Sequence, residues 1–478
     1  MSKVLRPSAA VAALVDSPPS GRLAIGLRLG ELRLWCASLF PPDPELPADG
    51  RLRRGALYGA VAIIGTLIVL LRASGSVPAW QSMWAEDGAV FLSQAVSHSL
   101  VANLFTPYSG YLHFAPRLLA QADTLFPLRD AAWLYAVEGS MVATGCALVV
   151  FRATRGLIGS RTLRFTLAAA MLCLPLAHYE LLANLVNIQW YLTATVLWVL
   201  IWRPRTASGR SVACLVAFLA AGSQPLVAIF LPVAVLRVLT TRTWWENAAT
   251  IAYAAGLSCQ AWSLIAHPAP SASALAYVQA GAPLIAKLFV LRVGLGTLGG
   301  TGPTDTLWAH FGILAAIVAT LLVIGAVVLG LRRAVRPVQV WAVTAMITGA
   351  LLFAYMTHAR YVLIALAPGQ DPLQWDSRYS YVPVILMLAA LAMAGGNILT
   401  RLPPRTRWVT LTLGLACLVA LWIPGFCEGT RAGPTWSVAL ASADARCHRP
   451  GEPVAVTIAP PPWTAQIPCS LLVTSRPG

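Results

Sequence analysis

Long apolar stretches alternate with short polar connections along most of this chain. A helix that crosses a bilayer needs about 20 mostly apolar residues. We predict an all-α polytopic membrane protein with about eleven transmembrane helices, placed at residues 55–73, 132–152, 164–180, 188–202, 211–223, 225–240, 246–266, 309–331, 338–357, 380–397 and 408–424. Pro175, Pro225 and Pro232 interrupt the shorter stretches, which allows tilted or broken helices around a polar cavity.

Arginines cluster in every second connection between the apolar stretches. The clusters are Arg51/Arg53/Arg54, Arg152/Arg155/Arg161/Arg164, Arg203/Arg205/Arg210, Arg237/Arg242, Arg332/Arg333/Arg336 and Arg401/Arg405/Arg407. Because cytoplasmic loops of membrane proteins carry an excess of Lys and Arg, this alternation predicts a cytoplasmic N-terminus and an extracytoplasmic C-terminus in the plasma membrane.

Composition supports a membrane protein and argues against a soluble one. Of the 478 residues, 58% are hydrophobic and 11% are charged, whereas a soluble domain carries about 25% charged residues. The net charge of +16 comes from short clusters between apolar stretches rather than from one basic domain, so we expect no nucleic-acid partner. Most acidic residues fall on the predicted outer side, where carboxylate chemistry would occur.

The chain divides into three predicted regions. Residues 1–54 are basic and rich in proline, and are predicted to be a largely disordered cytoplasmic arm. Residues 55–424 form the transmembrane domain, with a long first outer loop at 74–131. Residues 425–478 are a less apolar extracytoplasmic tail, in which residues 452–458 alternate like a strand.

Three cysteines lie in this tail, on the side where disulfides are permitted. We predict a bridge between Cys447 and Cys469 that closes a small β-hairpin-like unit, and leave Cys427 unassigned.

The first outer loop carries the most informative polar segment, Trp84-Ala85-Glu86-Asp87-Gly88. One interpretation places a carboxylate at the mouth of a cavity. The other is a solvated acid that caps the helix beginning near Ala89, since Asp is a good N-cap residue. The same loop continues with Pro107 to Arg117, which includes Tyr108 and His113.

Two further polar clusters flank apolar stretches. The first contains Asp376, Arg378 and Tyr379; it either binds a sugar or phosphate, or is an interfacial aromatic belt with a local ion pair. The second contains His178, Glu180, Asn187 and Gln189; it either lines a cavity or is an ordinary polar loop.

The acidic pair Glu86-Asp87 in the first outer loop of a many-helix chain resembles the signature of the GT-C class of glycosyltransferases. The segments Trp84–Gly88 and Tyr108–Arg117 also resemble a group of uncharacterised actinobacterial membrane proteins associated with that class. The resemblance implies a GT-C-like fold and transfer of a sugar from a polyprenyl-phosphate carrier to an envelope glycan, lipid or protein on the outer face.

The resemblance also implies roles for individual residues. Asp87 would be the general base, with Glu86 as second choice, and Arg117 and Arg378 would receive the departing phosphate, since guanidinium pairs bidentately with phosphate. The substrate-binding candidates are Tyr108, His113, Arg117, His178, Glu180, Asn187, Gln189, Asp376, Arg378 and Tyr379. Acidic side chains beside phosphate are compatible with a divalent metal, but no spacing in the chain demands one.

A second function class is a transporter or a flippase of lipid-linked glycans or other envelope precursors. Transporters often have two similar halves and charged residues near the bilayer midplane. This sequence has no obvious internal repeat, and its charges concentrate at one face. Those two observations favour the enzyme.

Overall fold

The computed structural model describes residues 31–44, 50–177, 180–241, 243–267, 280–359, 378–427, 431–449 and 451–473. The helices of the first half are α1 Arg51–Arg72, α2 Leu100–Phe105, α3 Phe114–Asp123, α4 Ala131–Ala153, α5 Arg161–Cys173, α6 Ile188–Ile201, α7 Ala207–Ser223, α8 Leu231–Thr240 and α9 Trp244–Ala266. Those of the second half are α10 Ala282–Phe289, α11 Thr301–Phe311, α12 Ile313–Leu331, α13 Arg336–Ala359, α14 Arg378–Leu399, α15 Pro404–Trp422, α16 Trp436–Asp444 and α17 Cys469–Val473.

Each of the eleven predicted apolar stretches contains a helix, although the number of crossings stays a prediction. Within the described residues, six helical segments are long and apolar enough to cross a membrane: Leu52–Arg72, Leu128–Gly156, Ile313–Leu331, Arg336–Ala359, Arg378–Leu399 and Pro404–Gly425. Ile188–Ile201, Ala207–Ser223 and Pro225–Thr240 are shorter apolar helical segments. The chain is therefore a multi-pass membrane protein, and the predicted helical fold class is confirmed in this respect.

Two predicted helix boundaries are wrong for local backbone reasons. The stretch at 164–180 is helical only to Cys173, because Leu174 takes extended angles (φ −55°, ψ 122°) before Pro175. The stretch at 309–331 is broken at Gly312, whose φ of 54° is in the left-handed region that glycine enters without a side-chain penalty.

Helix α6 lies at the centre of the bundle. All 14 of its residues are buried, and it packs against α4, α7 and α14. At 1.5 Å per residue it is about 21 Å long, shorter than the roughly 30 Å hydrocarbon core. Its first residue therefore lies inside the bundle rather than at a surface, and the segment before it, residues 180–187, is drawn into the protein.

The two ends of the bundle differ in charge. Helices α1, α5 and α15 begin, and α4 and α12 end, near the arginine clusters. The opposite end carries the long loop after α1 and the C-terminal tail.

The arm was predicted to be largely disordered, but residues 39–44 are held against the arginine-rich end. The Trp341 indole N–H donates to the carbonyl of Leu39 (2.5 Å), and the Phe40 ring packs edge-on against Trp341. Asp43 forms an ion pair with Arg152 (2.6 Å). Leu39 and Phe40 are buried, so this short segment packs on the bundle, and the largely disordered arm stays a prediction.

The tail contains the predicted small β unit. Strands β1 Pro453–Thr457 and β2 Thr464–Pro468 pair antiparallel. Cys447 and Cys469 form a disulfide with Cα atoms 5.6 Å apart, whereas Cys427 is an exposed free thiol.

The tail packs on the first outer loop rather than standing apart from the bundle. The Ala85 N–H donates to the Ala459 carbonyl (2.5 Å), and the Ala459 N–H donates to the Met83 carbonyl (3.0 Å). The Gln466 N–H donates to the Ser93 hydroxyl (2.8 Å). A second hydrophobic core joins the two regions. We call residues 79–131, 180–187 and 431–473 together the loop–tail module.

Candidate active site around Asp87

Asp87 lies inside the loop–tail module. It begins a π-helical turn, Asp87–Leu92, and is 1% exposed. Its carboxylate accepts the Val186 N–H at Oδ1 (2.7 Å) and the Leu185 N–H at Oδ2 (3.0 Å). The interpretation of Asp87 as a solvated helix cap is therefore wrong, because the side chain is buried and binds the backbone of another segment. Irregular π turns of this kind are frequent at functional sites.

The electrostatic environment sets Asp87 to titrate near neutral pH. Burial raises the pKa of its carboxyl from 3.8 to about 7, because the interior disfavours the charged form. The backbone N–H groups of Val186 and Leu185 and the positive charge of Arg431 act in the opposite direction. Glu86, which is only half-buried, adds a smaller upward contribution. Of the acidic pair, Asp87 is the residue poised to exchange a proton at neutral pH.

Arg431 is a member of the site that sequence reasoning missed. Its guanidinium is buried and donates to the carbonyls of Leu182 (2.8 Å) and Ala183 (3.0 Å), in the segment whose next residues bind Asp87. It also lies 5.2 Å from the centre of the Trp84 ring. Burial lowers the pKa of Arg431 to about 10, so it remains a cation at neutral pH. The sequence contains one signal for this residue: Arg431 is a basic residue that follows the last apolar stretch on the predicted outer side of the membrane, where arginines are fewer.

Residues 180–191 connect Asp87 to the start of α14. Asn187 accepts the Trp190 indole N–H (3.2 Å), and the Trp190 ring packs edge-on against Tyr379 at 5.6 Å. The Arg378 guanidinium lies 5.1 Å from the centre of the Tyr379 ring. The structure thus links Arg378 to the segment that binds Asp87.

The carboxamides of this segment are buried, so it is not an exposed polar loop, and cavity lining stays a prediction. Asn184 and Asn187 both donate to the Glu180 carbonyl. Gln189 is buried, and its Oε1 has no hydrogen-bond partner among the described residues.

Arg117 belongs to a second polar network in the first outer loop. It is 0% exposed, and its Nη1 donates to Gln94 (2.6 Å) and Asn103 (2.7 Å). The guanidinium lies 5.5 Å from the centre of the Phe91 ring, one turn beyond Asp87. Its Nε and Nη2 have no hydrogen-bond partner within the described residues. Burial lowers the pKa of Arg117 to about 10, so the cation is kept.

His113 and Tyr108 line the same network. The His113 ring stacks on Tyr111, with centroids 4.2 Å apart, and its Nδ1 hydrogen-bonds the Tyr111 carbonyl (3.2 Å). Burial, assisted by the charge of Arg117, lowers the pKa of His113 to about 3, so the imidazole is neutral. Tyr108 packs against both His113 and Phe91. A packing role accounts for all of these contacts.

Two acidic residues outside the predicted set of site residues also lie close to the site. Asp123 ends α3 in a buried position, where burial raises the pKa of its carboxyl to about 6. Glu138 on α4 lies beside Asp123. Tyr135, one turn earlier on α4, interacts electrostatically with both Asp123 and Asp87.

His178 and Asp376, both predicted site residues, lie outside the described residues. In the ranges that the structure describes, no three His, Cys, Asp or Glu side chains form a metal-binding group.

No protein-family model matches the chain, and no curated protein matches it significantly. Among solved structures it is similar to ArnT from Cupriavidus metallidurans in the apo state, at 16% identity and a TM-score of 0.41, over 78% of this chain and 64% of that one. The form of ArnT bound to undecaprenyl phosphate gives 16% identity and 0.40 over the same shares. The Archaeoglobus fulgidus oligosaccharyltransferase in complex with Zn and sulfate gives 15% and 0.41, over 81% and 56%.

The chain spans less than two thirds of the length of each of these proteins. TM-scores near 0.4 do not assign it to their fold family or to their activity. The chemistry of this chain follows from its own residues.

Proposed function

We propose that this protein is a GT-C-type membrane glycosyltransferase. In this proposal it transfers a sugar from a polyprenyl-phosphate carrier to an envelope acceptor, with Asp87 as general base. The observation that carries the proposal is the buried Asp87 carboxylate, whose pKa is raised to about 7. A base with a pKa near the working pH combines a useful ionised fraction with a useful proton affinity.

The proposed reaction balances in one displacement step. The acceptor hydroxyl oxygen attacks the anomeric carbon of the sugar while its proton passes to the Asp87 carboxylate. The bond from that carbon to the phosphate oxygen breaks, and the polyprenyl phosphate leaves with the bonding electron pair. Asp87 then releases the proton to water, so the carboxylate is regenerated without another reagent.

The departing phosphate needs cationic neighbours. Arg378 is the strongest candidate, because its link through Tyr379 and Trp190 leads back to the segment that binds Asp87. Arg431 donates to three backbone carbonyls, and its positive charge is better suited to acting on the Asp87 carboxylate than to binding phosphate. Arg117, which sequence reasoning also proposed, is held by Gln94 and Asn103, and its two remaining nitrogen positions are the ones left to contact a ligand.

The proposal requires that the loop–tail module face the outside of the plasma membrane. The arginine clusters at the opposite end support a cytoplasmic N-terminus, by the positive-inside rule. The buried disulfide partner Cys469 and its bond to Cys447 suit an oxidising compartment.

The test is the substitution Asp87→Ala in purified protein reconstituted with labelled polyprenyl-phosphate hexose or pentose and envelope extract. We expect consumption of the donor to fall by about 10²–10⁴-fold, the usual contribution of a positioned base. Asp130→Ala is the matched control, because Asp130 lies in the same loop but its side chain is 48% exposed. Equal donor consumption by the wild type and Asp87→Ala would remove Asp87 as the base.

A further inference from the structure

A large apolar cavity lies at the arginine-rich end of the bundle, and Asp87 and the residues that contact it are not part of its lining. It occupies about 1040 Å³ between α1, α4 and α5. Its walls are aliphatic and aromatic side chains, among them Leu57, Val61, Ile64, Phe151 and Phe165. Ligand cavities typically measure about 300–1,000 Å³, so this one is large enough to hold most of an extended small molecule.

Helix α1 approaches its neighbours closely in its C-terminal half. At Gly65, an added Cβ would lie 2.6 Å from the Thr144 side chain, so the two backbones approach closely there. At the last residue of α1, on the side opposite the arginine clusters, Arg72 donates to the carbonyls of Leu172 (2.5 Å), Leu174 (3.0 Å) and Ala177 (3.3 Å). Nearer the arginine clusters, a Cβ added at Gly55 or Gly59 would meet no atom within 4 Å.

Positive charge is concentrated at the open end of the cavity. The described residues that line it include six arginines and no acidic residue: Arg53, Arg54, Arg152, Arg155, Arg161 and Arg164. The ion pair of Arg152 with Asp43 (2.6 Å) offsets one of these charges. Arg152, Arg155 and Arg161 are close enough to Arg164 to repel its charge. Because these like charges repel one another, an anion that binds among the guanidinium groups lowers the electrostatic free energy of the cluster.

We propose that this cavity binds one anionic phospholipid from the leaflet on the arginine-rich side. The phosphate lies among the guanidinium groups, which bind phosphate oxygens through paired N–H donors. An acyl chain lies against the apolar walls of α1, α4 and α5. A free nucleotide or sugar phosphate does not fit these walls, because its polar groups would be left unpaired against aliphatic side chains.

Charge selects among membrane lipids. A zwitterionic headgroup would bring its own ammonium group into a cluster of arginines, whereas an anionic headgroup such as phosphatidylglycerol or cardiolipin adds no cation. The site is independent of the proposed transferase reaction, since it involves none of the residues around Asp87.

The experiment measures lipid retention by native mass spectrometry after purification from membranes in a mild detergent. The double variant Arg53→Gln/Arg161→Gln removes two exposed arginines of the cavity. Arg332→Gln/Arg405→Gln is the matched control, because it removes two exposed arginines from other loops at the same end. The variant Ala169→Trp fills the apolar part of the cavity without changing charge.

We expect one tightly held anionic phospholipid on the wild type and on the control double variant. A titration with phosphatidylglycerol should show about 30-fold weaker binding to Arg53→Gln/Arg161→Gln, from the usual effect of two basic residues near a membrane surface. Ala169→Trp should also lose the lipid, and its thermal unfolding reports separately whether it folds.

Three results would overturn the proposal. The first is equal phosphatidylglycerol affinity in the wild type and Arg53→Gln/Arg161→Gln. The second is equal retention of phosphatidylethanolamine, which would show that charge does not select the occupant. The third is recovery of polyprenyl phosphate in place of phospholipid, which would assign the cavity to the carrier lipid.

Discussion

The pH dependence of sugar transfer follows directly from the burial of Asp87. With the pKa of its carboxyl at about 7, about half of the molecules carry the base form at pH 7 and about one tenth at pH 6. We expect the rate to rise about tenfold per pH unit below 7 and to level off above it. An exposed aspartate, with a pKa near 3.9, would give a flat profile over the same range.

Asp87→Asn separates this chemical role from the structural one. Asparagine keeps one oxygen that can accept the Val186 or the Leu185 N–H, but its amide NH₂ then faces the other donor. One buried N–H is left unpaired, which costs about 1–3 kcal/mol of stability. We therefore expect Asp87→Asn to fold but to unfold at a lower temperature than the wild type. It should also lose turnover, together with the rise of the rate with pH below 7.

Stability should change with pH in the opposite sense to activity. The pKa of Asp87 is raised in the folded state, so between about pH 4 and pH 7 the folded protein binds more protons than the unfolded one. The stabilising contribution of Asp87 is complete below pH 4 and is lost as the pH rises through 7. Asp87→Asn should lack this decline when thermal unfolding is followed against pH.

The assay is single-turnover transfer in nanodiscs between pH 5 and 9, with Asp130→Ala as the control. A flat profile between pH 5 and pH 7, or a fall in rate below pH 7 that persists in Asp87→Asn, would refute the reasoning. Either result would mean that another group titrates or that Asp87 is solvated.

Three other substitutions test how the site is held. Gly139→Ala places a Cβ 2.5 Å from the Asn184 carbonyl oxygen, so we expect the free energy of unfolding to fall by about 1–3 kcal/mol and turnover to fall as well. The control is Gly145→Ala on the same helix, whose Cβ meets no atom within 4 Å. It should leave thermal unfolding and turnover unchanged. Arg431→Gln removes a cation that lowers the pKa of the buried carboxyl, so the acid limb of the rate profile should move to higher pH. Cys447→Ser opens a disulfide of sequence separation 22, which should cost about 3 kcal/mol and speed proteolysis of the tail; equal proteolysis rates would contradict a stabilising role.

The predicted β unit and the disulfide pairing came from local signals. Alternating side chains mark β1, and the bridged cysteines flank the hairpin, so both features are visible within about 25 residues of sequence. The docking of this hairpin on residues 83–85 and Ser93 has no such signal, because it joins segments more than 370 residues apart.

The same distinction separates the two outcomes for residue 87. The sequence shows a carboxylate beside a glycine after an apolar stretch, which fits both a cap and a base. The choice depends on Leu185 and Val186, 98 and 99 residues away, and on Arg431 in the tail. A pKa depends on burial and on neighbouring charges, and neither can be read from nearby sequence.

The sequence alone determined that the chain crosses a membrane several times and that one end of its bundle is basic, because hydrophobic length and the placement of arginines are local properties. Tertiary structure decided that the short helix α6 is enclosed by other helices, that the tail packs on the first loop, and that a cavity lies between α1, α4 and α5. These features depend on which distant surfaces pack together. That packing removes water from Asp87 and gives a common side chain an uncommon pKa.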